Sequence, residues 1–185
     1  MQISLKQHGF TLLEVLIAFM ILSFGLLGAV ALQAKAKQAS FDSMQRAAAV
    51  ELASDIMHRI RSNDTTDITT LYKVKFNSES GTTEAKTCYT GYCSAAAIAQ
   101  TDIANWRRAI RAGENTGSLD NAVVCITPTS SATDPSGVNV RVVVTWRGRQ
   151  AMTALEDNPA GDCGTVDDRR RAVVMETFVL IRSEP

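Results

Sequence analysis

Residues 15–32 form an apolar run without a charge, interrupted only by Ser23, Gly25 and Gly28. At about 1.5 Å per residue in a helix, the run spans roughly 27 Å, close to the hydrocarbon thickness of a bilayer. Polar residues then return while the helical pattern continues. Residues 33–61 lack proline and glycine, are rich in alanine, and carry Phe41, Met44, Ala48, Leu52, Ile56 and Ile60 at three- or four-residue spacing. This predicts one apolar stripe, with Asp42, Gln45, Arg46, Asp55 and Arg59 largely on the opposite side. Taken from Phe10 to Arg61 the helix is about 78 Å long, far more than a globular domain uses. Its first part needs lipid or other helices around it, its second part needs a domain to lie against, and Ser62, Asn63 and Asp64 supply a stop.

The rest of the chain, residues 63–185, has the punctuation of a separate α+β domain. Residues 71–76 alternate like a short strand, or are irregular. Residues 101–112 place Ile103, Trp106, Ala109 and Ile110 at helical spacing, with Asp102 near the start and Gly113 just past the end. Residues 122–127, 138–147 and 172–181 are rich in valine and isoleucine, and Val138, Val140, Val142, Val144 and Trp146 alternate cleanly. They predict three strands of a small antiparallel sheet, joined by loops at 128–137 and 148–170. A sheet with one apolar face needs a cover, and the stripe of the long helix is the one at hand. The predicted fold is a helical spine packed on that sheet.

Charge narrows the function only by exclusion. The 19 basic and 19 acidic side chains cancel, so nucleic acid is not an expected partner. Arg169, Arg170 and Arg171, with Arg107, Arg108 and Arg111, read as solvated charge rather than a phosphate site. His8 and His58 have no companion ligands, and Trp106 and Trp146 read as core. The loop acids Glu156, Asp157, Asp162, Asp167 and Asp168 lack the regular spacing of a calcium loop. No nucleophile–base pair, phosphate loop or pair of catalytic carboxylates stands out, so neither an enzyme nor a cofactor or metal is expected.

The four cysteines fit an oxidising compartment. They allow three connectivities, of which Cys88–Cys93 with Cys125–Cys163 is favoured, the first a short reach and the second joining a predicted strand to a loop. The spacing is wrong for zinc or for a redox pair. A cleaved secretory signal remains open, because residues 29–31 and 34–36 have the small-x-small form, but the apolar run exceeds the usual core of about 7–15 residues. Lys6 on one side and Lys35 and Lys37 on the other do not orient the helix.

Residues 1–9, a short leader carrying Lys6, end in glycine, and Phe10-Thr11-Leu12-Leu13-Glu14 opens the apolar helix directly behind. This arrangement resembles the class III signal of type IV prepilins and of type II secretion pseudopilins. The wording of residues 10–33, followed by a helix, a sheet and the late stretch Val144-Thr145-Trp146-Arg147-Gly148-Arg149, resembles a PilV-type minor pilin. The resemblance implies four parts: a leader at 1–9, a transmembrane and assembly helix at 10–32, an amphipathic half of the spine at 33–62, and a periplasmic globular domain at 63–185. It implies cleavage after Gly9 by a prepilin peptidase and methylation of the new amine of Phe10. Glu14 would meet the terminal amine of a neighbouring subunit during assembly. The implied partners are other minor pilins, the major pilin and an inner-membrane assembly platform; the implied location is the bacterial inner membrane, then the pilus fibre at or near its tip. A type II secretion pseudopilin of the I type is the nearest alternative, and a tip adhesin or DNA-uptake receptor is another. Many major pilins carry a proline in the apolar half of the spine. Here Gly25 and Gly28 stand there instead, serving either to loosen the helix or to admit close packing.

Overall fold

A computed structural model describes residues 9–81, 88, 91–134, 136–152 and 160–181. The leader before Gly9, with Lys6 and His8, and the loop acids Glu156 and Asp157 lie outside the described residues. The chain divides into two units, Met1–Phe41 and Asp42–Pro185, and a helix α1, Leu12–Ser62, contributes to both.

In the first unit α1 is continuous through Gly25 and Gly28. Ser23 satisfies its hydroxyl by donating to the Phe19 carbonyl four residues back, the usual way a lone hydroxyl is accommodated in an apolar helix. The side chains from Leu12 to Leu32 are exposed. Among the described residues α1 is the one helix long and apolar enough to cross a membrane, with a mean hydropathy of 2.6 over its most apolar window.

In the second unit the remaining turns of α1 bury Ala49, Leu52, Ala53, Ile56, Met57 and Ile60. The stripe differs from the predicted one at its start. Met44 is half exposed, and Gln45, placed on the polar side by its character, is buried. Periodicity assigns a residue to a face by chemistry, whereas the geometry of a helix assigns it by angle, and Gln45 lies in line with Ala49, Leu52 and Ile56. Arg59 and Arg61 sit in the last turn, where cations complement the exposed carbonyls, and Asn63 closes it by donating its N–H to the Arg59 and Ile60 carbonyls.

A single-turn helix α2, Ile68–Leu71, leads into strand β1, Val74–Asn77. Helix α3, Ala95–Thr116, follows. It is longer than the predicted 101–112 at both ends. Ser94 caps its start, accepting the Ala97 N–H, and Gly117 ends it in the left-handed conformation at φ 72°, which a residue with a Cβ adopts only at a cost. Gly113 lies inside the helix.

Strands β2, Val123–Ser130, β3, Gly137–Arg147, and β4, Arg170–Leu180, complete the sheet. The order is β1-β2-β3-β4, every pair antiparallel. The described residues thus hold the three predicted strands and β1, which takes the end of the stretch 71–76 left open between a strand and irregular structure. β2 runs past the predicted end at Thr127 and through Pro128 because β1 stops opposite Ile126. Beyond that point β2 is itself an edge, where a missing N–H is tolerated.

The sheet is covered along its inner face and over part of its outer face. Its inner face packs Phe76, Val124, Ile126, Val140, Val142 and Trp146 into one core with Leu52, Ile56 and Ile60; burying an aliphatic side chain of this size is worth about 1.5–3 kcal/mol. On the outer face Val123 and Val143 form a second, small core with Ala160 and Cys163. Cys163 is bonded to Cys125 of β2, so the segment around residue 160 is tied down over the sheet.

Candidate functional site

The sequence directs attention first to the start of α1. Gly9, Phe10 and Thr11 precede the helix without regular structure and are exposed. Thr11 caps α1: the Glu14 N–H donates to its hydroxyl oxygen at 3.2 Å and to its carbonyl at 3.1 Å. Thr11-Leu12-Leu13-Glu14 therefore has the form of a capping box, the hydroxyl residue at the cap and a carboxylate three positions on. Glu14 is the acid of the first turn, where a negative charge is stabilised by the unpaired N–H groups of the helix end. This gives Glu14 a local role besides any intermolecular one. Its charge stands among Phe10, Leu12 and Leu13, which are 83%, 87% and 68% exposed. A peptide bond accessible to an enzyme, a carboxylate four residues on and an unbroken apolar helix behind it thus occupy one end of the chain.

The four cysteines form two disulfides. Cys88 is joined to Cys93 and Cys125 to Cys163.

A polar network inside the globular unit holds α3 against α1 and Tyr72. Arg59 pairs with Asp55 one turn earlier and reaches Asp102 of α3 at 3.2 Å. Tyr72 donates to Asp102 at 2.9 Å, and Asn63 donates to the Tyr72 hydroxyl and to the Ala95 carbonyl. Trp106 donates its indole N–H to Asp55. Burial pushes the Asp102 carboxyl above its ordinary value, with the bonds from Tyr72 and Arg59 pulling it back. Burial likewise raises Tyr72 well above the ordinary phenol range. Arg59 is held more firmly charged, chiefly by its bond to Asp55. The buried acid thus takes a bond from a buried phenol and from a partly exposed cation, and the constellation reads as a structural clasp.

The remaining candidates separate in space. Trp106 and Trp146 are core residues, and His58 is exposed. Arg107 lies over the Phe76 ring and donates to the Gly81 carbonyl, and Arg111 donates to Ser78. Both are committed to the segment after β1, whereas Arg108 is exposed. Arg170 donates to Thr165 and Asn121, and Arg171 to Gln150. Among the described residues no group of His, Cys, Asp or Glu is placed to hold a metal ion.

Sequence reasoning did not find Gln45. Its Nε2 donates to the Gly117 carbonyl at 3.3 Å, while its Oε1 is buried with no hydrogen-bond partner among the described residues. An acceptor left in that condition costs about 1–3 kcal/mol. Gln45 lines a cavity of about 330 Å3 together with Gly117, Asp120, Arg147, Arg149 and Arg169. No local signal marks such a site, because its residues come from α1, the end of α3, the end of β3 and the start of β4.

Comparison with known families places the first part of the chain. Residues 4–30 match the prokaryotic N-terminal methylation motif, and residues 31–104 match a family described as type IV pilin Tt1218. No curated protein and no solved structure matches the chain.

Proposed function

Because the chain is a type IV pilin-like protein, we propose that it works as a minor pilin of the PilV type, helping to prime pilus assembly and entering the fibre at or near its tip. The observation that carries this reading is the start of α1. An exposed Gly9–Phe10 bond precedes a capped, unbroken, outward-facing apolar helix that matches the methylation motif. A prepilin peptidase would cut that bond and methylate the Phe10 amine, leaving residues 10–32 as membrane anchor. The anchor would hold the chain in the inner membrane with residues 63–185 on the periplasmic side, where the two disulfides are stable. After extraction into the fibre the same apolar surface would pack against neighbouring helices. The chain acts as a structural subunit in this reading, with other minor pilins, the major pilin and the assembly platform as partners.

Mass spectrometry of the protein purified from its own cells tests the reading: the amino terminus should be Phe10 carrying one methyl group. A terminus at Gln33 or near Lys37 would establish an ordinary secretory signal instead. A type II secretion pseudopilin fits the same family matches, so the second measurement is what co-purifies with the full-length protein from membranes. Pilus components support the minor pilin, and secretion components the pseudopilin.

A further inference from the structure

We infer that Lys35 and Lys37 bind the phosphates of anionic phospholipids at the membrane surface and thereby fix the depth at which the anchor rests. Both side chains are exposed on α1, and among the described residues neither takes part in an ion pair or a hydrogen bond. The helix offers them no counter-charge. The positions three and four away from each lysine hold alanine, leucine, glutamine, serine or phenylalanine, whereas an ion pair along a helix needs an acid at that spacing. Between Glu14 and Asp42 the chain has no acidic residue at all. Two cations without an internal partner therefore stand where the apolar run stops.

Spacing along the helix and direction around it both select lipid as the partner. The rise from Glu14 to Lys35 is roughly 32 Å at about 1.5 Å per residue, against about 30 Å of hydrocarbon, so the two charges bracket a bilayer. Residues 15–32 alone span roughly 27 Å, a few Å short. Lysine closes such a gap by laying its aliphatic stem along the apolar edge and extending its ammonium to the headgroups. Lys35 and Lys37 are two positions apart, hence about 200° around the helix, and their ammonium groups leave on opposite sides. A protein neighbour packed on one side meets one of them, whereas a ring of lipids meets both. The side chains from Leu12 to Leu32 are exposed, so that ring has access from every direction. Phosphate is the group an ammonium recognises, and phosphatidylglycerol presents it without a competing cation of its own. The inference rests on the reading of residues 10–32 as a membrane anchor and adds the lipid chemistry that holds it.

The test uses the protein purified from its own cells, in nanodiscs of phosphatidylcholine in which phosphatidylglycerol replaces a rising share of the lipid. The NMR signals of the Lys35 and Lys37 Cε groups should shift with that share and saturate. Inorganic phosphate added to discs of phosphatidylcholine alone, at matched ionic strength, should not reproduce the shift. A second readout is the preference of spin-labelled phosphatidylglycerol over spin-labelled phosphatidylcholine for the helix. Lys35→Gln and Lys37→Gln should each lower it on the order of fivefold at the site concerned, and the double variant should lose both shares, because the two groups do not touch. Lys35→Arg with Lys37→Arg should keep the preference. Signals indifferent to phosphatidylglycerol, an equal response to free phosphate, or an unchanged preference in the double glutamine variant would each overturn the inference. The last result, joined to poor entry of that variant into minor-pilin complexes, would give the lysines a protein partner instead. The wild-type titration needs no variant, so a substitution that harms folding leaves the question decidable. A chain that begins at Phe10 and enters the discs without a lysine response removes this inference alone. A chain cut at Gln33 that does not enter them removes the anchor reading on which it rests.

Discussion

Tyr72 donates its buried hydroxyl to Asp102, 30 residues away in the chain, at 2.9 Å. The phenol also accepts from Asn63 at the end of α1, so one oxygen joins the helical cover to α3. Tyr72→Phe keeps the ring, which lies 6.0 Å from that of Trp106, and removes only the oxygen. The Asn63 amide and the Asp102 carboxylate would each lose a partner in a buried place. A loss of about 1–3 kcal/mol in urea unfolding is expected.

The same pair makes stability depend on pH in a defined direction. Asp102 has a raised pKa in the folded state through burial, so the folded protein holds that proton more tightly than the unfolded chain. The contribution is complete below the unfolded value of about 3.9 and is lost as pH rises through the raised folded value. Asp102→Asn should therefore flatten this part of the pH–stability curve. Tyr72, raised for the same first reason, extends the argument to alkali: its contribution is lost above the unfolded phenol value of about 10, and Tyr72→Phe should reduce that loss. Thermal melts of the three proteins across pH check both, and curves that stay parallel to wild type would remove this account of the network.

The two disulfides should differ in weight. Cys125–Cys163 closes a separation of 38 residues and Cys88–Cys93 one of 5. In the chain-entropy model these are worth about 4 and about 2 kcal/mol. Cys163 also lies 4% exposed in the small core on the outer face, so Cys125→Ala with Cys163→Ala loosens that cover as well. Denaturant titration of each double-alanine variant should place the long closure's midpoint lower.

Gly137 and Phe178 make a fourth test. A Cβ at 137 would overlap the Phe178 ring, which lies across the strand pair from it. Gly137→Ala should cost about 1–3 kcal/mol through that overlap, toward the lower end because Phe178 is 45% exposed and has room to turn outward. In a Phe178→Ala background the cost should shrink. Equal costs in the two backgrounds would mean that the backbone, not the ring, requires the glycine.

How far the sequence could be read follows from these particulars. The long helix was legible because 33–61 excludes proline and glycine, and the central strand because Val138 to Trp146 alternate, both strong local signals. The start of α3 was obscured by Ala95, Ala96 and Ala97, which show no contrast between faces, although Ser94 was a readable cap. The capping form of Thr11 and Glu14 was equally readable. Gln45 stands at helical spacing from Ala49, Leu52 and Ile56, so its side was readable by angle, but what the fold lays against its amide was not. Nor were the partners of Asp102 and the pocket arginines, which meet only after the chain has closed from residue 45 to residue 169.

The last prediction separates the two roles of Glu14. We hypothesise that in the fibre its carboxylate meets the positive amine of a neighbouring subunit's Phe10 in an apolar surround. Two charges about 4 Å apart attract by near 1 kcal/mol in water and about 4 at an effective dielectric of 20, so exclusion of water is what gives the pair weight. Within the single chain Glu14 also stands in the first turn beside the cap at Thr11, worth about 0.3–1 kcal/mol to the helix. Glu14→Ala should still be cleaved after Gly9, insert and fold, yet enter pili or minor-pilin complexes poorly, because the neighbouring amine is left without a counter-charge. Glu14→Asp should be intermediate, its charge kept and its reach shortened. Thr11→Val removes the cap's hydroxyl and leaves the carboxylate, so its assembly should stay close to wild type. Quantifying each variant in membranes and in sheared fibres from the same cells distinguishes the roles. Loss of Thr11→Val from fibres as severe as that of Glu14→Ala would make helix capping the cause, and wild-type amounts of Glu14→Ala in fibres would dismiss the ion pair altogether.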